Sequence, residues 1–191
     1  MSHNRALDST LFRLLLIADI EMAAEAQAEG CACGGMLHSA RYPRKPRGGP
    51  PADLRAKYST RESLCCAVEG CRKRVTPPSL RFLGRRVYLG AVVVLVSAMT
   101  GGVTEKRAAK MRDFVGVSIR TLQRWRAWWL ATFPRTVFWK EARGRFAPPV
   151  EVSELPESLL WRFAGSARDG LLACLRFLSP ITIRGGCATT K

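Results

Sequence analysis

Histidine is nearly missing from this chain: His3 and His38 are the two in 191 residues. A cysteine nucleophile needs a positioned base, so a Cys–His hydrolase is not expected. Carboxylates are sparse as well, 15 against 31 Lys plus Arg. Asp8, Asp19, Asp53, Asp113 and Asp169 fall on unlike segments, and no region is long enough to gather a two-metal nuclease core around them. The glycine pairs at 34–35, 48–49 and 101–102 lack the strand–loop–helix context and the Lys-Ser/Thr ending of a phosphate-binding loop. Together these absences predict a protein without catalytic activity. Long apolar runs are lacking too. The longest, residues 87–99, spans about 13 residues, whereas crossing a bilayer takes about 20. The opening residues show neither the apolar core nor the cleavage site of a secretory signal, so a cytoplasmic protein is expected. In that compartment seven cysteines, an odd number, point to metal binding rather than a disulfide framework.

What the chain does carry is positive charge, +16 with a pI near 10.5. A polyanion is the natural partner, and both nucleic acid and an anionic membrane surface qualify. Four stretches differ in character. Residues 1–30 hold an N-terminal helix over 7–28, in which Leu11, Leu14, Leu15 and Ala18 recur at helical spacing and Gly30 is the stop. Residues 31–86 form a basic cysteine-knuckle module, zinc-ribbon-like and broken by prolines and glycines, with an extended or flexible basic loop over 41–51. Residues 87–133 read as a helix-turn-helix, with an apolar helix over 87–100 ahead of the pair at 104–114 and 118–133. Residues 134–191 are a C-terminal helical extension with helices near 154–163 and 167–178. The fold class expected is mainly α with a small zinc-ribbon-like β element and a helix-turn-helix core.

The cysteines supply a candidate metal site. Cys31 and Cys33 lie one residue apart on a turn that Gly34 and Gly35 let fold tightly, and Cys66 and Cys71 form a second pair with Gly70 between them. Zinc takes four thiolate or imidazole ligands in a tetrahedron, so Zn²⁺ on Cys31, Cys33, Cys66 and Cys71 is the expected arrangement. Two alternatives stay open: Cys65 adjoins the second pair, and His38 lies near enough to the first to replace a ligand. Cys174, among leucines, reads as a small buried hydrophobe.

The segment 110–125 carries the DNA-reading signal. A helix-turn-helix needs a tight turn, here 115–117, and a second helix with one apolar face and one polar face. Ser118 can cap that helix. Leu122, Trp125 and Trp129 recur at i, i+3 and i+7, while Arg120, Gln123, Arg124 and Ala127 share the opposite side. Arg pairs with guanine and Gln with adenine in the major groove. Exposed cations at Arg44, Lys45, Arg47, Arg72, Lys73 and Arg74 would add phosphate contacts.

The pattern Gly-Val-Ser-x-x-Thr-Leu-x-Arg-Trp over 116–125 resembles the turn and recognition helix of bacterial helix-turn-helix regulators and transposon proteins. A zinc ribbon followed by a helix-turn-helix is similar to the DNA-binding region of insertion-sequence transposases and their small accessory proteins. The resemblance covers roughly residues 31–133. It implies sequence-specific binding of double-stranded DNA, with Arg120, Thr121, Gln123 and Arg124 at base- and backbone-contacting positions, and a transposase or self-association as the protein partner. The other readings are a stand-alone transcription regulator and, on the strength of Trp125, Trp128, Trp129 and Trp139 set among Arg and Lys, a peripheral protein of anionic membrane surfaces.

Overall fold

The computed structural model describes residues 7–48, 50–83, 88–99 and 117–183. It is mostly helical with a small antiparallel sheet. Helix α1, Ser9–Glu29, begins where the Asp8 carboxylate accepts the Leu11 N–H at 2.8 Å and stops at Gly30, which takes a positive φ of 75°. Leu11, Phe12, Leu15, Leu16 and Ala18 of its first half enter the main core, while Ala26 near its end packs on a second, smaller cluster.

That smaller cluster belongs to the cysteine module. Strands β1 (Leu37–Ser39), β4 (Leu64–Cys66) and β5 (Arg74–Val75) form a three-stranded antiparallel sheet in the order β1-β4-β5. A separate two-stranded ribbon pairs β2 (Tyr42–Pro43) with β3 (Thr60–Arg61), and the short helix α2 (Arg55–Tyr58) lies between them in sequence. The expected loose basic loop is therefore held. Beyond β2, Arg44 N–H donates to the Ser59 carbonyl, Arg47 bridges Tyr88 in parallel fashion, and Gly48 lies so close to Val92 that a Cβ would come within 2.7 Å of it. Backbone pairing overrides a composition rich in proline and glycine.

Helix α3, Gly90–Met99, has no polar side: Ala91 to Val96 are each at most 3% exposed. A helix apolar all round belongs at the centre of a bundle. It packs against α4 (Ile119–Ala127), α6 (Glu157–Leu160) and α7 (Ala167–Leu178). Ser118 caps α4 by accepting the Thr121 N–H, as expected. The helix does not run on as one α-helix to Phe133. It widens into a π-turn over Trp128–Thr132 and tightens to a 3-10 turn over Phe133–Arg135. Trp125, Trp129 and Phe133, all buried, are spaced by four, which overruns a 3.6-residue turn, and one widened turn takes up the excess. Helix α5 (Val137–Ala142) follows under a Thr136 cap. The helix expected over 154–163 shrinks to α6, because Pro156 has no N–H to continue a helix from the preceding turn. Helix α7 matches its expected bounds and starts on a capping box of Ser166 and Asp169.

The first member of the expected helix pair, 104–114, and the turn residues 115–116 lie outside the described residues, so α4 is the described part of that motif. Among the described residues no helix is long and apolar enough to cross a membrane.

Candidate functional site

Helix α1 delivers the first pair of sulfurs. Past Gly30 the chain closes on itself, with Cys31 N–H donating to the Gly35 carbonyl at 2.9 Å and Gly34 N–H to the Cys31 carbonyl at 2.7 Å. This loop aims Cys31 and Cys33 the same way. The second pair frames the β4–β5 turn, where the N–H groups of Cys71 and Arg72 both donate to the Val68 carbonyl and Arg72 takes a positive φ of 43°. Ala67 N–H donates to the Met36 carbonyl at 2.9 Å, which locks one knuckle to the other.

The result is a cluster in which the Sγ atoms of Cys31, Cys33, Cys66 and Cys71 all lie within 4.8 Å of one another. Cys31 and Cys71 are 3.8 Å apart and Cys33 and Cys66 3.5 Å. A tetrahedral ion with metal–sulfur bonds of 2.3 Å requires an edge of about 3.8 Å between sulfurs, so the cluster is already the size of a four-thiolate site. Disulfides need about 2.05 Å and are not present here. Cys65 and His38 are not members. They face each other across β1 and β4, and strand alternation sends Cys65 to the side opposite Leu64 and Cys66. Cys174 is a fully buried thiol in α7, as its leucine neighbours suggested.

The electrostatics of the cluster are those of a site that could hold a cation. The Gly35 N–H, helped by the neighbouring sulfurs, pulls the exposed Cys33 thiol down to about 7. Burial pushes Cys66 up to about 12. At Cys71 the Lys73 N–H works downward, but the sulfur of Cys33, burial and Cys31 outweigh it and the thiol is raised. One thiolate forms readily and then opposes the others; a divalent ion removes that opposition.

Gly35 is a positioning residue that sequence reading credited only with turn flexibility. A Cβ there would stand 2.6 Å from Val68 Cγ2 and 2.8 Å from Cys66 Sγ, whereas one at Gly70 would meet nothing within 4 Å. Gly35→Ala is therefore expected to displace Cys66 and lower metal affinity by about 10-fold or more, with Gly70→Ala near the parent. Competition against a chromophoric chelator measures both; equal affinities for the two variants would show that the knuckle tolerates the displacement.

The basic residues are distributed over two surfaces. Lys45 and Arg47 are exposed, and so are Arg72, Lys73 and Arg74 beside the second knuckle. Arg44 is half-buried, its guanidinium 5.4 Å from the Phe82 ring centroid. On α4, Leu122, Trp125 and the following Trp129 are buried while Arg120, Gln123 and Arg124 are exposed. Thr121 is buried: its hydroxyl lies 3.0 Å from Ser118 Oγ and accepts from Arg124 Nη2 at 3.1 Å, so it orients Arg124 from below. The segment Tyr88–Leu89 fastens the two surfaces together. Leu89 N–H donates to the Arg47 carbonyl, and the Tyr88 ring meets Trp125 edge-on at 5.1 Å. Trp125, Trp129 and Trp139 all lie in the core.

No family model matches this chain, and neither does any curated protein or solved structure.

Proposed function

We propose that this chain binds double-stranded DNA, with the exposed side of α4 in the major groove, exposed cations of the cysteine module on neighbouring phosphates, and zinc as the ion held by the four cysteines. The observation that carries the reading is the division of α4, which buries Leu122 and Trp125 and leaves Arg120, Gln123 and Arg124 to solvent. A helix with a fixed inner face and free Arg and Gln on the outer one has the chemistry that reads base edges. Four thiolates at tetrahedral spacing favour zinc among common ions, since harder cations such as Mg²⁺ prefer oxygen. Zinc here is structural, its four positions filled by protein, and its role is to hold Arg72, Lys73 and Arg74 in place. The resemblance of residues 116–125 to recognition helices of transposon proteins supports a role as a mobile-element accessory protein, with a transposase or a second copy as its partner.

The test is Arg124→Ala on matched cognate and scrambled duplexes, the cognate chosen by selection from a random pool. Arg124 is exposed, so its removal should leave the melting temperature near that of the parent. Discrimination should fall by about 1–3 kcal/mol, at one base position. Lys45→Ala should instead weaken binding to every duplex alike and flatten the salt dependence slightly. If Arg124→Ala binds both duplexes as the parent does, α4 is not a recognition helix.

A further inference from the structure

Three guanidinium groups stand around one buried ring. From the centroid of Phe82 the Cζ atoms of Arg81, Arg44 and Arg61 lie at 5.0, 5.4 and 6.0 Å. The β2–β3 ribbon accounts for two of them. Tyr42 pairs with Arg61 and Arg44 N–H donates to Ser59, so Arg44 and Arg61 occupy diagonal positions on one face of the ribbon. Diagonal positions are separated by about 7–8 Å, a gap that two long guanidinium side chains close around a single oxyanion.

Among the described residues the two buried guanidiniums, Arg61 and Arg81, share one carboxylate, Asp19. Asp19 is fully engaged, accepting from Leu80 and Arg81 N–H through Oδ1 and from Ser79 Oγ and Arg81 Nε through Oδ2. Glu62 belongs to the other face of the ribbon and pairs with Arg41 at 2.7 Å. Arg61 is 3% exposed and, among the described residues, feels the Asp19 charge without a direct ion pair to it; its Nη2 donates to the Pro77 carbonyl and its Nη1 has no partner among them. Arg81, fully buried, likewise keeps one idle donor, Nη2. Two buried guanidiniums that share one carboxylate are left undercompensated, and idle buried donors mark where an acceptor fits.

We propose that Arg44 and Arg61, backed by Arg81, form an anion site that takes a phosphate-class oxyanion. Arg61 Nη1 is the inner donor. Arg44, the half-buried member, stands on the solvent side and supplies the second arm of the clamp. The oxyanion is either inorganic phosphate or the phosphodiester of a nucleic-acid strand, and the site stands whether or not α4 reads DNA.

The experiment uses the full metal-loaded chain, with thermal unfolding followed in sodium phosphate and in sodium chloride at equal ionic strength. At phosphate a hundred times its Kd, the parent should melt roughly 5 °C higher than in chloride. Arg61→Met should lose that difference altogether. Arg44→Gln, a half-buried position that does not challenge folding, should weaken phosphate binding about 10-fold. A duplex arm separates the sources. If the phosphodiester is the occupant, inorganic phosphate and Arg44→Gln each weaken duplex binding; if free phosphate is, duplex affinity is unchanged while the melting difference still disappears in the variants. Equal melting of the parent in the two salts would mean that water satisfies these donors and would overturn the proposal. A phosphate effect that survives both substitutions would overturn it as well, by placing the anion elsewhere.

Discussion

Strong chelation is expected to strip one metal ion per chain and to abolish amide-exchange protection across β1, β4 and β5, leaving α3 and α7 protected. The three-stranded sheet around the four cysteines has almost nothing else to hold it. Its buried cluster consists of Cys31, Leu37, Leu64 and Cys66, so half of it is ligand sulfur. Structural zinc sites contribute about 10–16 kcal/mol of apparent binding free energy, comparable with the whole stability of about 5–15 kcal/mol of a typical domain. The main core, by contrast, draws on Leu11 and Leu15 of α1, on Ala91 to Val96 of α3 and on Trp125, Trp129 and Trp139, none of which belongs to the four-cysteine cluster. The two regions meet through the last turn of α1, where Gln27 Nε2 donates to the Leu37 carbonyl at 3.0 Å, so that turn should fray with the module. Cys66→Ser should reproduce the chelated state, because a serine hydroxyl does not supply the thiolate that the ion requires. Elemental analysis and hydrogen exchange decide the matter. Protein free of metal with unchanged protection in β4 would remove the metal from the account of this fold.

How far the sequence discloses this arrangement depends on the range of the interactions. Local signals read well: Gly30 ending α1, Ser118 capping α4, the bounds of α7, and the i, i+3, i+7 stripe of Leu122, Trp125 and Trp129, each written within a turn or two of the residue concerned. The four sulfurs read well too, although Cys33 and Cys66 are 33 residues apart, because closely paired cysteines are a signature of metal ligation. What does not read is pairing between distant polar residues. Asp19 sits in a helix among other acidic residues, and no pattern distinguishes it from Glu21 or Glu25, both exposed. Its partner is 62 residues away on an irregular segment. Arg61 and Arg81 look like two more members of a basic surface, yet the ribbon and the Ser79–Arg81 segment turn both inward. Even Arg44, expected among the exposed cations, is half-buried with its guanidinium over Phe82, a placement that Pro43 and Pro46 conceal. Composition predicts that a cation is solvated, and tertiary geometry decides otherwise.

Asp19→Ala is expected to be the most damaging substitution outside the metal ligands, costing about 3–5 kcal/mol of stability. The carboxylate is fully buried and so is its partner, Arg81, whose Nε lies 2.8 Å from Oδ2. Three backbone segments converge on this pair. Asp19 comes from α1, its Oδ1 accepts the Leu80 N–H at 2.7 Å, and Arg81 Nη1 donates to the Lys57 carbonyl of α2 at 2.8 Å. Tyr58, next in sequence, lies under the Arg81 guanidinium and donates its hydroxyl to the Phe12 carbonyl of α1 at 2.7 Å, closing the ring of contacts. Removing the carboxylate leaves Arg81 charged and buried beside Arg61 and strips acceptors from Ser79, Leu80 and Arg81 at once. For a chain of this size a loss of that order lowers Tm by roughly 10 °C. Asp19→Asn should be nearly as harmful, since the amide keeps one acceptor but turns a donor toward other donors. Charge and shape can be separated with Asp19→Leu/Arg81→Met, which removes both ions: it should recover part of the loss, because the larger share of the cost of the single change is the stranded guanidinium rather than the missing bond. Melting curves of the parent, Asp19→Leu, Arg81→Met and the double variant complete the cycle. If Asp19→Ala melts within about 2 °C of the parent, less than 1 kcal/mol for a protein of this length, the buried pair does not hold the cysteine module to the helical core.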